Sequence, residues 1–460
     1  MKCIFIYRRD LRIYDNKTLN YLIQNDFTII PIFIFNEKQI GSKNVYKSEH
    51  TVNFMIESLL HLNKELDNKL HFFYTNNEIE LLEKLSKSND VQYIAYNSDN
   101  TYYSIQRDKS IDAMCSKNNI ELIKFQDYTL FDINTIKTQE NKFYEVYSAF
   151  YNNAFKKLKN EIPTPVVISK KLLTKSILQI EDKNIHKNIL QFYTNDLKSV
   201  TKGGRPVGRK LLNKLKNFKQ YETTRNIVQE NTSFLGAHLK FGTISVREFL
   251  QRVSELYGIS HSLIGQILWK EFYINLFINL GFKYTIGGDN YKKKKVKWFN
   301  NDELFEKWCS GTTGFPLVDA GMRQLNNIGW MHNRCRMITA NFLSLVLHID
   351  WHKGEKYFAT KLIDYDVAIN NGNWQWSVGL GVDRAQFLRI FNPQSQIENH
   401  DNDCVFIKKW VPELKKVPNE VIKKWQDLDK EEILKYSKSY PLPCVDYSKQ
   451  RIKTIKELYR

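Results

Sequence analysis

Cysteine is scarce and never clustered. The six present, Cys3, Cys115, Cys309, Cys335, Cys404 and Cys444, form no CxxC pair in 460 residues, which argues against zinc and iron–sulfur sites and against a disulfide framework. They read as reduced thiols of a cytoplasmic or nuclear protein, and no metal is expected. Long apolar runs are missing too, since none approaches the ~20 residues that span a bilayer. Nothing resembles a secretory leader, because Cys3-Ile4-Phe5-Ile6-Tyr7 runs straight into arginines. The expectation is a protein neither secreted nor membrane-bound. A glycine fingerprint is also absent. Where a dinucleotide-binding sheet places GxGxxG after its first strand, this chain has YRRDLR, so Arg8, Arg9, Asp10 and Arg12 read as a structural ion-pair cluster.

What the chain has in excess is positive charge. Lys and Arg number 68 against 50 Asp and Glu, a formal net charge of +18. Such an excess suits a polyanionic partner, nucleic acid before membrane. Aromatic residues reach 13%, which suits stacking on bases or on a flat cofactor, although large cores use them as well.

Short β-rich runs alternate with helical patterns over residues 1–130, which predicts an α/β domain with a parallel, Rossmann-like sheet. Strands are expected near Cys3 to Tyr7, Thr28 to Phe35, Leu70 to Thr75, Val91 to Asn97 and Glu121 to Gln126. Residues 131–200 lose periodicity and carry Pro163 and Pro165, the composition of an interdomain linker. Residues 201–460 read as an all-α domain, with amphipathic stretches such as Ser245 to Tyr257, Leu263 to Leu280 and Val318 to Ile328. Lys292 to Lys295 form a charge run, most simply a solvated loop, with a phosphate contact as the alternative.

Most of the chemistry converges on Gly329 to Trp376. Trp330, Asn333, Arg334, Arg336 and Met337 are spaced as consecutive turns of one helix, mixing an aromatic, an amide, guanidinium groups and a thioether. A second helix is expected to carry Asp364, Asp366 and Asn370 on one face and to end at Asn371-Gly372-Asn373, before Trp374-Gln375-Trp376. Carboxylates, amides and indoles in this density suggest a pocket for a flat, polar-edged ligand. Taken one residue at a time, a surface salt-bridged helix pair with two core tryptophans explains each of them better. Thr232 to Ser245 reads as a loop entering a helix, where hydroxyls either cap the helix or present donors to a diphosphate.

The words GWMHNRCRMITANFL, LIDYDVAINNGNWQW and FLRIFNP, with YRRDLRIYDN near the start and YPLPCVDYSKQR near the end, closely resemble the photolyase and cryptochrome family, specifically its class I cyclobutane pyrimidine dimer photolyases. That resemblance covers nearly the whole chain. It implies an FAD-binding helical domain behind an antenna domain, and light-driven repair of UV-damaged DNA by a monomer. By the same resemblance Tyr221, Thr232, Ser233, Phe234, Leu235, Gly236, Trp330, Arg336, Asp364, Tyr365, Asp366 and Asn370 are flavin contacts. Gly236 stands where the family usually has Ser, which removes one hydroxyl. Asn333, Met337, Trp269 and Trp376 match the dimer pocket, and with them Gln266 and Lys270 are expected to contact the DNA. Arg225 and Arg334 match arginines on the flanking phosphates. Trp374, Trp351 and Trp298 match a three-tryptophan relay that carries electrons to the flavin. A second, antenna chromophore, folate or deazaflavin, is also implied. The loop Asp99 to Asp108 reads DNTYYSIQRD, with Tyr102 in place of a proline, and leaves its identity and its presence open.

Gln266 departs from the pattern. Cyclobutane-dimer photolyases usually have Glu there, while 6-4 photoproduct photolyases and animal-type cryptochromes often have Gln. A glutamine amide still donates to a thymine carbonyl. The histidines that mark the 6-4 subgroup are Asn333 and Met337 here, so the proton transfer that 6-4 repair needs has no evident agent. Asn370 is the residue that photolyases usually carry near the flavin N5, and the chain stops at Arg460 without a long polar tail of the kind many signalling cryptochromes use. The alternatives to dimer repair are a cryptochrome photosensor acting through a protein partner, a 6-4 photolyase, and a flavin-free DNA-binding protein.

Overall fold

The computed structural model describes residues 1–186, 188–230, 232–281, 296–383 and 389–458, with residues 457 and 458 as backbone only. The chain divides into two compact units. One comprises Met1–Asp196, Thr201–Lys219 and Ser233–Asn279; the other comprises Leu197–Val200, Gln220–Thr232 and Leu280–Arg460.

The first unit is built on a five-stranded parallel sheet of β1 (Lys2–Tyr7), β2 (Thr28–Asn36), β3 (His71–Thr75), β4 (Tyr93–Ser98) and β5 (Glu121–Gln126), in the order β3-β2-β1-β4-β5. Its central strands are continuous apolar runs rather than alternating ones. TIIPIFIFN in β2 is buried at every position after the first, as expected of a parallel strand covered on both faces. Side-chain oxygens of Asn16, Ser48, Asn77 and Thr101 cap the helices that follow the strands. The YRRDLR arginines form the ion-paired cluster read from the sequence. Arg8 pairs with Asp108 at 2.9 Å, Arg9 with Asp99 at 3.2 Å and Arg12 with Asp127. Arg247 joins them from the Val246–Tyr257 helix, 2.9 Å from Asp15 and 2.5 Å from Asp127.

The second unit is helical around a core that includes Trp308, Met331, Phe342, Trp351, Trp374 and Trp425. Three boundaries in it differ from the sequence reading. Trp330 lies outside the Asn333–Leu345 helix, because Gly329 ends the Pro316–Ile328 helix in the left-handed region (φ 64°) and His332 caps the next one. Asp364 and Asp366 also precede their helix. Asp366 is the N-cap of Val367–Ser377, accepting from the amides of Ala368 and Ile369 at 3.0 and 3.3 Å, so only Asn370 of the three is helical. Asn371-Gly372-Asn373 does not end that helix, which runs on through both tryptophans to Ser377. Lys292 to Lys295, and Phe387 and Leu388 of FLRIFNP, lie outside the described residues.

Candidate functional site

A cleft of about 520 Å³, counting the part open to solvent, lies within the second unit. Asn333, Arg336, Met337 and Ala340 form one wall, Asp364, Tyr365 and Asp366 an edge, and Ile369, Asn370, Asn373, Trp374 and Ser377 the opposite wall, with Phe358 and Leu362 at the apolar end. Many of the residues singled out from the sequence therefore meet. Helical spacing accounts for the first wall. Asn333 and Met337 are one turn apart, the amide nitrogen 3.8 Å from the thioether sulfur.

Arg336 and Asp364 form the charged edge of the cleft. Arg336 Nη2 donates to Asp364 Oδ2 at 2.9 Å and Oδ1 at 3.1 Å, while its Nε donates to the Met331 carbonyl at 2.9 Å. The guanidinium plane is held from two sides. Trp330 is 9% exposed and packs nearby, its ring 6.3 Å from and perpendicular to that of His332.

Glu355, in WHKGEKYF, was not singled out from the sequence. On the Trp351–Lys361 helix it is 3% exposed. Its Oε1 accepts from Asn370 Nδ2 and from the Tyr365 hydroxyl, both at 3.0 Å. Burial raises its pKa against the pull of those two donors. The consequence falls on Asn370. With Nδ2 donated to Glu355, Oδ1 becomes the acceptor end of the amide on that wall. Gly354 was missed as well. A Cβ there would stand 2.3 Å from Trp374 Cη2 and 2.4 Å from Leu343 Cδ2, so the missing side chain is what lets the Trp374 indole lie against this helix.

Trp374 is 2% exposed and meets Phe358 edge-on at 5.0 Å and Trp308 at 6.2 Å. Trp351 is fully buried and stacks on His352 at 3.7 Å, and Trp298 packs half-buried on the same core. Trp376 is half-buried, its Nε1 donating to the Asp383 carbonyl at 2.9 Å. Tyr221, Arg225 and Thr232 also belong to this unit, with Arg225 3.2 Å from the exposed Glu222. Arg334 Nη2 donates to Asn226 Oδ1 at 2.7 Å.

The remaining singled-out residues sit in the first unit. Ser233, Phe234 and Leu235 form an irregular stretch, with Phe234 at φ 53°, that leads into the short Gly236–Lys240 helix. Gln266, Trp269 and Lys270 are on the Ser262–Leu280 helix. Gln266 and Trp269 are half-buried. One indole face of Trp269 is covered by Tyr147, ring on ring at 3.5 Å and 9°, and the Tyr147 hydroxyl donates to the Gly265 carbonyl at 2.8 Å. Lys270 is 8% exposed, and its ammonium donates to the Tyr128 carbonyl at 2.7 Å over that residue's ring. That charge is satisfied inside the protein. Beside it Glu271 is fully buried and accepts from the Leu130 and Phe131 amides at 3.0 and 3.5 Å.

Two family models match the chain: DNA photolyase over residues 3–166 and the FAD binding domain of DNA photolyase over residues 263–460. A deoxyribodipyrimidine photo-lyase of Buchnera aphidicola is 35% identical, over 100% of this chain and 97% of that one. Among solved structures, an archaeal photolyase from Sulfolobus tokodaii, determined with two FAD molecules, has a TM-score of 0.84 at 36% identity and covers 99% of both chains. A cryptochrome from Synechocystis has a TM-score of 0.88 at 25% identity, covering 99% of this chain and 98% of its own. On these matches, end to end, the chain belongs to the DNA photolyase family.

Proposed function

We propose that this protein is a deoxyribodipyrimidine photo-lyase that splits cyclobutane pyrimidine dimers in UV-damaged DNA under blue or near-UV light, working as a monomer in the cytoplasm. The observation that carries the reading is the cleft of the second unit, in which Asn333 and Met337 face a pocket edged by the Arg336–Asp364 pair. The residues fit FAD. Phe358, Leu362, Ile369 and Trp374 offer apolar surface to a flat ring, while Arg336, Asp364, Asp366 and Asn370 offer polar groups to its edge. Bound there, FAD supplies one electron under light and takes it back, so the repair is redox-neutral.

The chain's own residues bind and orient. Arg336, fixed by Asp364 and the Met331 carbonyl, presents a constant positive charge at the cleft edge. Asn370, turned by Glu355, would offer Oδ1 near the flavin N5, and Asp366 would accept from the ring's N–H edge. Tyr365 braces Glu355. Asn333 supplies an amide for a base edge, and Met337 a soft apolar contact for the strained ring. Trp376 and Trp269 are assigned to the flipped bases by stacking, and Gln266 to a thymine carbonyl. Arg225 and Arg334 are assigned to phosphates. Tyr221, Thr232, Ser233, Phe234, Leu235 and Gly236 are assigned to the rest of the cofactor. Trp374, Trp351 and Trp298 are oxidisable indoles assigned to its re-reduction. Lys270, its ammonium engaged by Tyr128, is given no DNA contact. A second chromophore, for which the two FAD molecules of the Sulfolobus protein set a precedent, is proposed as an antenna.

Binding in the dark tests the assignment. A duplex with one cyclobutane dimer should outcompete both its undamaged counterpart and one with a 6-4 photoproduct. Gln266→Leu should weaken dimer binding by about 1–3 kcal/mol through an unpaired base edge, and Gln266→Glu should restore it. Equal affinity for all three duplexes would remove the dimer from the reading.

A further inference from the structure

Several buried nitrogen atoms at one end of the Asn333–Leu345 helix have no acceptor among the described residues. His332 caps this helix through Nδ1, which accepts from the Arg334 amide at 3.1 Å. An imidazole nitrogen that accepts carries no proton, so the proton of neutral His332 is on Nε2. The residue is 1% exposed and nothing meets that N–H. Arg334 Nε and Arg225 Nε are buried and unmet in the same way, and His400 Nδ1 has no partner. Buried donors of this kind are destabilising until an acceptor arrives.

These groups form one electrostatic neighbourhood. Burial, Arg336, Arg334 and His400 push His332 down to about 4, and burial and Arg334 push His400 down to about 4 against the pull of a hydrogen bond from its ring to the Asn226 backbone, which leaves Nδ1 as the unpartnered nitrogen. Burial and Arg225 lower Arg334. Three segments supply them. Arg334 is tied to Asn226 at 2.7 Å, and the Val228 amide donates to the carbonyl of His400, at the end of the Pro393–His400 helix, at 3.0 Å. Nearby carboxylates are engaged elsewhere, except the exposed Glu222 on Arg225. Asp401 faces the amides of Phe406 and Ile407, and Glu398 accepts from Gln394. On the helices packed against His400's own, Arg323 is paired with Glu413, Lys423 with Glu420, and Asp319 is bonded to Thr313 and Tyr440. Cationic groups and unmet donors therefore gather at the positive end of a 13-residue helix, the surroundings an oxyanion requires.

We propose that His332 and His400 complete, with Arg225 and Arg334, a socket for one backbone phosphate of the DNA strand, and that seating the phosphate draws a proton from solvent onto His400. His332 stays neutral and donates Nε2–H, since protonating Nδ1 would break the helix cap. His400 Nδ1 has no such tie. The inference rests on the reading that damaged DNA is the partner. The same chemistry would suit a cofactor diphosphate, which the test separates.

The test uses FAD-loaded protein in the dark, a labelled duplex with one cyclobutane dimer, fluorescence anisotropy at constant ionic strength, and pH values from 5.5 to 8. Uptake of one proton makes Kd fall about tenfold per pH unit in the window between the free and bound histidine pKa. His400→Phe should abolish that slope. His332→Asn keeps an N-cap acceptor but has no Nε2–H, and should weaken binding severalfold while leaving the slope in place. A Kd flat with pH overturns the socket, and so does a slope that survives His400→Phe, which would assign the proton to another group such as Asp401. A slope found in FAD retention rather than DNA affinity assigns the anion to the cofactor and also overturns it. Tight but pH-independent dimer binding sinks the socket alone, whereas no dimer binding at any pH sinks the repair reading with it.

Discussion

Replacing Asp364 by Asn keeps the shape of the cleft edge and removes its negative charge. Arg336 then retains its bond to the Met331 carbonyl and loses an ion pair with contacts at 2.9 and 3.1 Å. The guanidinium is 25% exposed and the carboxylate 14%, so the cost lies below the about 3–5 kcal/mol of a fully buried broken pair. A hydrogen bond to a charged group contributes about 1.5–3 kcal/mol. About 2 kcal/mol is the working figure for Asp364→Asn, and about 3 kcal/mol for Asp364→Ala, which loses the acceptor altogether. Without cofactor the arginine can turn toward water; with the cleft filled it cannot, so the cost falls mainly on the bound state. At about 1.4 kcal/mol per decade, FAD should dissociate roughly 30-fold more readily from the Asn variant and roughly a hundredfold or more from the Ala variant. Titration of apoprotein with FAD, followed by quenching of flavin fluorescence, measures this. Affinity within about twofold of the unmodified protein, or equal destabilisation of apo and loaded forms in thermal melts, would mean that the Arg336–Asp364 pair does not hold the cofactor.

Gly354→Ala should lower the melting midpoint, because a Cβ at 2.3 Å from Trp374 brings an overpacking cost of about 1–3 kcal/mol against a helix-propensity gain of about 1 kcal/mol; a raised midpoint would mean that the indole steps aside freely. Tyr147→Leu removes the 3.5 Å stack on Trp269 and should weaken dimer binding by about 0.5–1.5 kcal/mol, while Tyr147→Phe should bind normally; unchanged isotherms for Leu would deny the stack a role. Burial lifts Glu271 to about 7 against the pull of Lys270 and two amides. A carboxyl whose folded pKa is raised holds a proton that the unfolded chain releases, so its stability contribution is full below the ordinary glutamate value of 4.5 and is lost as pH rises towards about 7. Urea melts from pH 4.5 to 7.5 should show Glu271→Gln with a flatter decline than the unmodified protein, and parallel curves would count against it.

The fold was legible wherever burial follows chain periodicity. The five strands lie within two residues of their expected limits because a doubly covered parallel strand announces itself as an unbroken apolar run, as β2 does. Asn333 and Met337 were placed together correctly because i and i+4 spacing is a property of the helix itself. Asp366 was misread because an Asp before an apolar turn fits a cap and a helix face equally, and only the backbone decides. Glu355, Gly354, Tyr147 and His400 escaped for a common reason. Each matters through a partner far along the chain, Asn370, Trp374, Trp269 and Arg334 respectively, and no local pattern encodes such a meeting.

A flavin held in the cleft should split a cyclobutane dimer with light. This is tested most directly by giving the protein chemically reduced FAD without oxygen, adding an oligonucleotide with one thymine dimer, and counting thymines restored by chromatography under blue light and in darkness. Two thymines per dimer are expected in the light and none in the dark, with no net oxidation of the flavin and a 6-4 oligonucleotide left unchanged. A dimer that persists under light with reduced flavin bound, or a 6-4 product repaired in its place, would contradict that expectation.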